Sequence, residues 1–274
     1  MPAENTNWAL VTGASAGIGA EFCRQLAARS WSLVLVARRE DRLEELAKSL
    51  QNEYSSQCKS FALDLSDHAA PQTLQDRLST EGIEIGFLVN NAGYGVPGAF
   101  NHSAWQTHAD SLQVMLNSVC ELCWRFLPGM QAQKNGYIIN VASVAGLVPG
   151  SAGHTLYGAM KSFLIRFSES LAAENAGTGV KVSALCPGFT YSEFHDVTRT
   201  RELVQQMPDY MWMTAEEVVH FGLESALREQ PRVIAIPGRV NRFIATLTRL
   251  MPRRLAQWLT RRQAHRFRSA ESQP

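Results

Sequence analysis

The sequence predicts an α/β fold, a doubly wound parallel sheet of about seven strands with helices on both faces. Short runs rich in β-branched and apolar residues alternate with longer stretches of helical periodicity along most of the chain. The connections between runs are long enough for crossovers, which parallel neighbours require. A glycine cluster follows the first run directly.

The elements read in order as follows. "WALVTG" is a strand, followed by a helix from about Ala20 to Ala28. "WSLVLVA", all apolar after its serine, is a second strand and precedes the charged helix "REDRLEELAKSLQNEY". "KSFALDLS" leads into the helix "HAAPQTLQDRLST", and "IGFLVNNAG" into a long helix around Ser111 to Met130. "GYIINVAS" precedes a helix carrying Tyr157, while "GVKVSALCPG" and "RVIAIPG" supply the last two strands. Near-continuous hydrophobic runs of this kind are what strands covered on both faces show. With no repeats or long linkers, residues 1–237 read as one domain and 238–274 as an extension.

Composition narrows the function classes. The 19% charged and 45% hydrophobic content of the 274 residues is that of a globular chain. Cys23, Cys58, Cys120, Cys123 and Cys186 are odd in number and scattered, which gives no disulfide framework and suits a reducing compartment. Cys120 and Cys123 form a C-x-x-C inside an apolar helical pattern, without the second pair that a zinc site needs, so no metal is expected. The first residues show no secretory leader and no apolar run reaches the ~18 residues of a membrane span, so the expected location is cytoplasmic. The net charge of +1 hides an asymmetry: nine arginines and one acid from Gly238 to Pro274 leave a basic tail on an acidic body. No nucleic-acid-binding module is recognisable, which argues against a nucleic-acid partner.

Chemistry enters with "WALVTGASAGIGAEF", a strand, a turn with Gly13, Gly17 and Gly19, then a helix. Glycines there let the backbone approach a pyrophosphate held at the helix N-terminus, so the stretch reads as dinucleotide-binding. The second strand ends "LVLVARRE", with Arg38 and Arg39 where an acid would meet a ribose 2′-hydroxyl. Arginine suits a 2′-phosphate through bidentate hydrogen bonds, and the expected cofactor is therefore NADP(H). "HTLYGAMKSF" places Tyr157 and Lys161 on one helical face. Spacing alone leaves open whether they form an acid/base pair or only a half-buried phenol beside a solvated amine.

With "TGASAGIG" (12–19), "NNAG" (90–93), "INVASVAG" (139–146), "YGAMK" (157–161) and "CPG" (186–188) in this order, the chain resembles the short-chain dehydrogenases/reductases over residues 7 to 237. The resemblance implies a Rossmann-type fold and interconversion of a carbonyl and an alcohol. It implies Tyr157 as general acid/base, Lys161 as its cationic neighbour, Ser143 holding the substrate oxygen and Asn117 completing a water relay. For the cofactor it implies Ser15 and Ile18 with the glycine loop, Asp64 and Leu65 beside the adenine, and Asn91, Ala92 and Gly93 along the middle. Pro187, Gly188 and Ser192 would surround the nicotinamide, and Tyr157 and Lys161 would also touch the cofactor. A homodimer or homotetramer is implied as well. Three departures stand out: Ala142–Ser143 in place of a serine pair, a Ser143-to-Tyr157 interval one longer than common, and Ser192 where threonine is usual. The lysine is expected to lower the phenol's pKa. A non-catalytic NADP-binding sensor, or a membrane-recruited scaffold, is the alternative on the same fold.

Two segments bear on substrate and partner. After "CPG", Phe189, Tyr191, Phe194, Met207, Tyr210, Met211, Trp212 and Met213 make an apolar lid, suited to an apolar carbonyl or to packing on the body. In the tail, Val240, Phe243, Ile244, Leu247, Leu250 and Met251 recur at helical spacing, Pro252 divides it, and Leu255, Trp258 and Leu259 follow. Its arginines make it a candidate for peripheral membrane contact, or for packing on the body or a partner subunit.

Overall fold

The computed structural model of the chain describes residues 7–96, 98–150, 152–153, 155–193, 208–252, 254–256, 258 and 260. Seven parallel strands form the main sheet in the order β3-β2-β1-β4-β5-β6-β9. They are β1 (Trp8–Thr12), β2 (Ser32–Ala37), β3 (Cys58–Ala62), β4 (Ile85–Asn90), β5 (Gly136–Val141), β6 (Val180–Leu185) and β9 (Ile234–Ala235). Each coincides with a strand read from the sequence.

The intervening helices are α1 (Gly17–Ala27), α2 (Glu40–Tyr54), α3 (Ala70–Thr80), α4 (Trp105–Leu112), α5 (Ser118–Gln133) and α6 (Thr155–Glu174). A π-helical turn, Gln113–Asn117, joins α4 to α5. Helix α7 (Ala215–Ala226) went unread in the sequence although its start is signalled: Thr214 accepts from the Glu217 amide while the Glu217 carboxylate accepts from the Thr214 amide. Helix α8 (Arg239–Leu250) opens the tail and ends just before Pro252. Strands β7 (Phe189–Tyr191) and β8 (Trp212–Thr214) pair as a small parallel ribbon where the sequence suggested only a lid.

Strand side chains alternate between two cores. Ala9 and Val11 of β1 face Phe22, Leu26, Leu43, Leu50 and Leu223 from α1, α2 and α7. Leu10 faces the other way, toward Leu74, Leu122, Phe126, Leu164 and Leu171 from α3, α5 and α6. Burial of each such side chain contributes roughly 1.5–3 kcal/mol, and covering both faces makes the sheet rigid enough to serve as a frame. Among the described residues no helix is long and apolar enough to cross a membrane.

Candidate active site

Strand order reverses between β1 and β4, and ligands of open α/β sheets bind outside the carboxyl ends at such a point. A cleft of about 950 Å³ lies there, bounded by the segments that follow β1 to β6. Of the residues singled out in the sequence, Gly13, Ser15, Gly17, Ile18, Arg38, Arg39, Asp64, Leu65, Asn91, Ala92, Gly93, Ser143, Tyr157, Lys161, Pro187, Gly188 and Ser192 all line it. Gly19 and Asn117 do not.

Gly19 serves the cleft from behind. A Cβ there would lie 2.1 Å from the Gly13 carbonyl oxygen, so only glycine lets the first turn of α1 fold against the end of β1. Ala16 is extended and no side chain caps α1, which leaves first-turn amides free to receive an anion. Buried Thr12, which opens the glycine motif but was given no role from the sequence, ties this turn to the loop after β4. Its hydroxyl accepts from the Asn91 and Ala92 amides at 3.0 Å each, and the Asn91 carboxamide donates to the Thr12 carbonyl at 3.0 Å. The backbone cradle fits a dinucleotide's pyrophosphate.

At the end bounded by β2, Arg39 donates to the Ser15 hydroxyl at 3.1 Å and to the Glu193 carboxylate at 3.1 Å. Arg42 reaches the other oxygen of Glu193 at 2.5 Å. These hydrogen bonds, Arg42's foremost, hold the Glu193 carboxyl below the usual carboxylate range. Arg38 stands 4.0 Å from Asp64 and is largely exposed. Two guanidiniums thus converge on one carboxylate, with the Ser15 hydroxyl beside Arg39, a donor set that also fits a phosphate monoester.

Ser143, Tyr157 and Lys161 meet where β5 gives way to α6. Asn90 on β4 donates to Asn140 on β5 at 2.9 Å, and Asn140 donates to Ser168 on α6 at 2.9 Å, a buried chain that fixes the height of α6 on the sheet. Gly146 lets the short turn after Ser143 approach closely, since a Cβ there would lie 2.6 Å from the Lys161 carbonyl carbon. The Ser143 hydroxyl accepts from the Ala145 amide at 3.1 Å and donates to the Pro187 carbonyl at 3.3 Å. The Lys161 ammonium donates to the Val141 carbonyl at 2.7 Å and lies 5.6 Å from the Tyr157 ring centroid.

One expectation needs correction. Burial pushes the Tyr157 phenol up to about 12, against a smaller opposing pull from its hydrogen bond with Ser143. Lys161 is brought down to about 8, again by burial, so desolvation outweighs any lowering of the phenol by the ammonium. Asn117 is exposed, and its carboxamide donates to Gln113 at 2.7 Å. It closes a π-helical turn, which holds more residues than an α turn and carries it away from the cleft-lining face of Val114.

Residues 7–203 match the short chain dehydrogenase family. The chain belongs to this family. It is 32% identical over 221 residues to a very-long-chain 3-oxoacyl-CoA reductase of Danio rerio, covering 79% of this chain and 67% of that protein. It is also 32% identical over 183 residues to a 7beta-hydroxysteroid dehydrogenase of Collinsella aerofaciens, covering 67% of this chain and 68% of that one. Among solved structures, a short-chain dehydrogenase from Sphingobium yanoikuyae in complex with NADPH matches with a TM-score of 0.78 and 30% identity, over 88% of this chain and 91% of that one. The chain spans 62–68% of the length of the first curated relatives it matches.

In this short-chain dehydrogenase the far end of the cleft is apolar. Phe189 and Met211 contribute from the lid, and Ile244 and Met251 from the tail. Trp212 stacks on exposed Tyr191 at 4.7 Å, Tyr210 is exposed, and Met213 packs on the core, so the lid partly packs on itself and the body. Phe194 and Met207 lie outside the described residues. Helix α8 is clamped by buried Asn241, which donates to the Pro237 carbonyl at 2.9 Å and fills the space beside Gly188, where a Cβ would come within 2.3 Å of its side-chain oxygen.

Proposed function

We propose that the protein is an NADP(H)-dependent oxidoreductase that reduces an apolar carbonyl to an alcohol. The observation that carries this reading is the joining, in one cleft, of a Ser143–Tyr157–Lys161 cluster to a cationic end lined by Ser15, Arg38 and Arg39, with Arg42 behind Glu193. The structural relative that holds NADPH supports the choice of cofactor. Bound NADPH supplies hydride to the carbonyl carbon.

The chain supplies the rest. Tyr157 keeps its proton at neutral pH and gives it from the phenolic oxygen to the carbonyl oxygen. Ser143 turns its hydroxyl from the Pro187 carbonyl to the same oxygen and steadies the developing charge. Lys161, charged below about 8, offsets the negative charge left on the phenol. The phenol's raised pKa keeps it in the protonated form that carbonyl reduction requires. Phe189, Met211 and Ile244 suit a substrate with a long or bulky apolar body, and the 3-oxoacyl-CoA and hydroxysteroid relatives lend support to acyl or steroid-like ketones. Exposed Trp124 on α5 and Phe163 on α6 support assembly as a homodimer or homotetramer.

The test is NADPH oxidation followed over ketones and aldehydes of graded chain length, with NADH in parallel. Turnover that rises with chain length and prefers NADPH is expected. Binding of NADPH with no turnover on any carbonyl would contradict the reductase reading.

A further inference from the structure

Helix α8 has two working faces. Asn241, Ile244 and Thr248 turn inward and line the cleft. Phe243, Leu247 and Leu250, spaced four and three apart, turn outward and are 67%, 50% and 77% exposed. Leu255 and Trp258 continue the exposure beyond Pro252, and Tyr210 is exposed on the short turn that α8 packs against. Five of the eleven large hydrophobic side chains exposed among the described residues therefore fall within residues 243–258. Scattered apolar residues on a surface need no explanation, but a concentrated patch marks an interaction site.

The charge around the patch selects the occupant. Arg239, Arg242, Arg249 and Arg254 are exposed beside it, and no Asp or Glu occurs between Gly238 and Thr260. Residues 261–274 add four more arginines in the sequence. A second copy meeting this face about a two-fold axis would set these arginines against their own counterparts. An anionic lipid surface answers both features, since headgroups take the guanidiniums while Phe and Leu enter the acyl boundary. We infer that α8, with Leu255 and Trp258 beyond it, docks the enzyme on an anionic bilayer. The helix that lies on the lipid is also a wall of the cleft, so docking holds the apolar end of the cleft at the membrane, where apolar carbonyl compounds are concentrated. The docking itself does not depend on the proposed catalytic activity.

The experiment is co-sedimentation of the full chain, without cofactor, with phosphatidylcholine vesicles that contain or lack phosphatidylglycerol. Binding is expected only to the anionic vesicles, weakening as salt is raised because exposed charges are screened over about 8 Å at physiological ionic strength. The triple variant Phe243→Gln/Leu247→Gln/Leu250→Gln, checked for an unchanged circular dichroism spectrum, should lower binding about tenfold or more. If that variant fails to fold, Arg239→Gln/Arg249→Gln, at two exposed positions, should weaken binding to anionic vesicles severalfold. Failure of the full chain to bind anionic vesicles at low salt would overturn the inference. So would variants that bind like the wild type. A triple variant that turns a dimer into a monomer in sedimentation equilibrium, with no vesicle binding by either protein, would assign the face to a second copy instead.

Discussion

The carboxylate of Glu193 lies 3.1 Å from the guanidinium of Arg39, although 154 residues separate them in the chain. Arg42 holds the other oxygen of the same carboxylate. On the proposed reading this is where the 2′-phosphate of NADPH would go, so Glu193 is an internal competitor for it. Glu193→Gln should therefore lower the Kd for NADPH by about fivefold and leave that for NADH nearly unchanged, because exposed ion pairs are individually weak. Weaker NADPH binding in this variant would show that Glu193 supports the site and does not compete for it.

Arg42→Gln should act in the opposite sense on NADPH, raising its Kd, while Arg38→Gln should matter less because Arg38 points toward Asp64 at 4.0 Å and remains largely exposed. Isothermal titration with both nucleotides separates these cases. Equal weakening of NADPH and NADH by Arg42→Gln would make that arginine structural.

Burial sets the pH dependence. Lys161 is charged below about 8 and neutral above it, while Tyr157 keeps its proton up to about 12. A protonated phenol beside a charged ammonium therefore exists only below about 8. The kcat/KM for carbonyl reduction, which reports the free enzyme, should be flat at neutral pH and fall as pH rises through about 8. A profile that climbs through that range would contradict the assignment of Lys161 as the charged partner.

Asn117 lies outside the cleft and bonds to Gln113. Asn117→Ala should keep kcat within about threefold of the wild type, far short of the 10²–10⁴ that loss of a proton-transfer group costs. A hundredfold loss would support the relay that the family resemblance implies.

Asn241 is the clamp between α8 and the loop after β6. Asn241→Leu removes its bond to the Pro237 carbonyl and forces a branched chain against Gly188, so urea unfolding should show a loss of about 1–3 kcal/mol. A loss below about 0.5 kcal/mol would place α8 among loosely attached elements.

What could be read in the sequence follows a physical division. Strands β1, β2, β4, β5 and β6 were legible because each is a short apolar run buried on both faces, whereas β3 exposes Lys59 and Ser60 and was read from its place between helices; the glycine turn was legible because its glycines answer to local backbone geometry. Glu193 and Arg42 were not, since no local pattern announces a pairing across 151 residues. The π turn at Gln113–Asn117 was equally hidden: helical periodicity counts 3.6 residues per turn and misplaces whatever follows an extra one. The dominance of burial over charge at Tyr157 and Lys161 depends on the depth of a cleft that only the assembled fold creates. Helix α7 was legible in its Thr214–Glu217 capping pair, which went unused beside the aromatic lid.

The proposed reaction turns on one phenol, that of Tyr157. With a long-chain ketone as substrate, single-turnover NADPH oxidation by Tyr157→Phe should be slower than wild type by about a thousandfold, within the 10²–10⁴ range of general acid catalysis, while the Kd for NADPH stays within about twofold. Comparable rates for Tyr157→Phe and wild type would contradict the assignment of Tyr157 as the proton donor, and with it the proposed reaction.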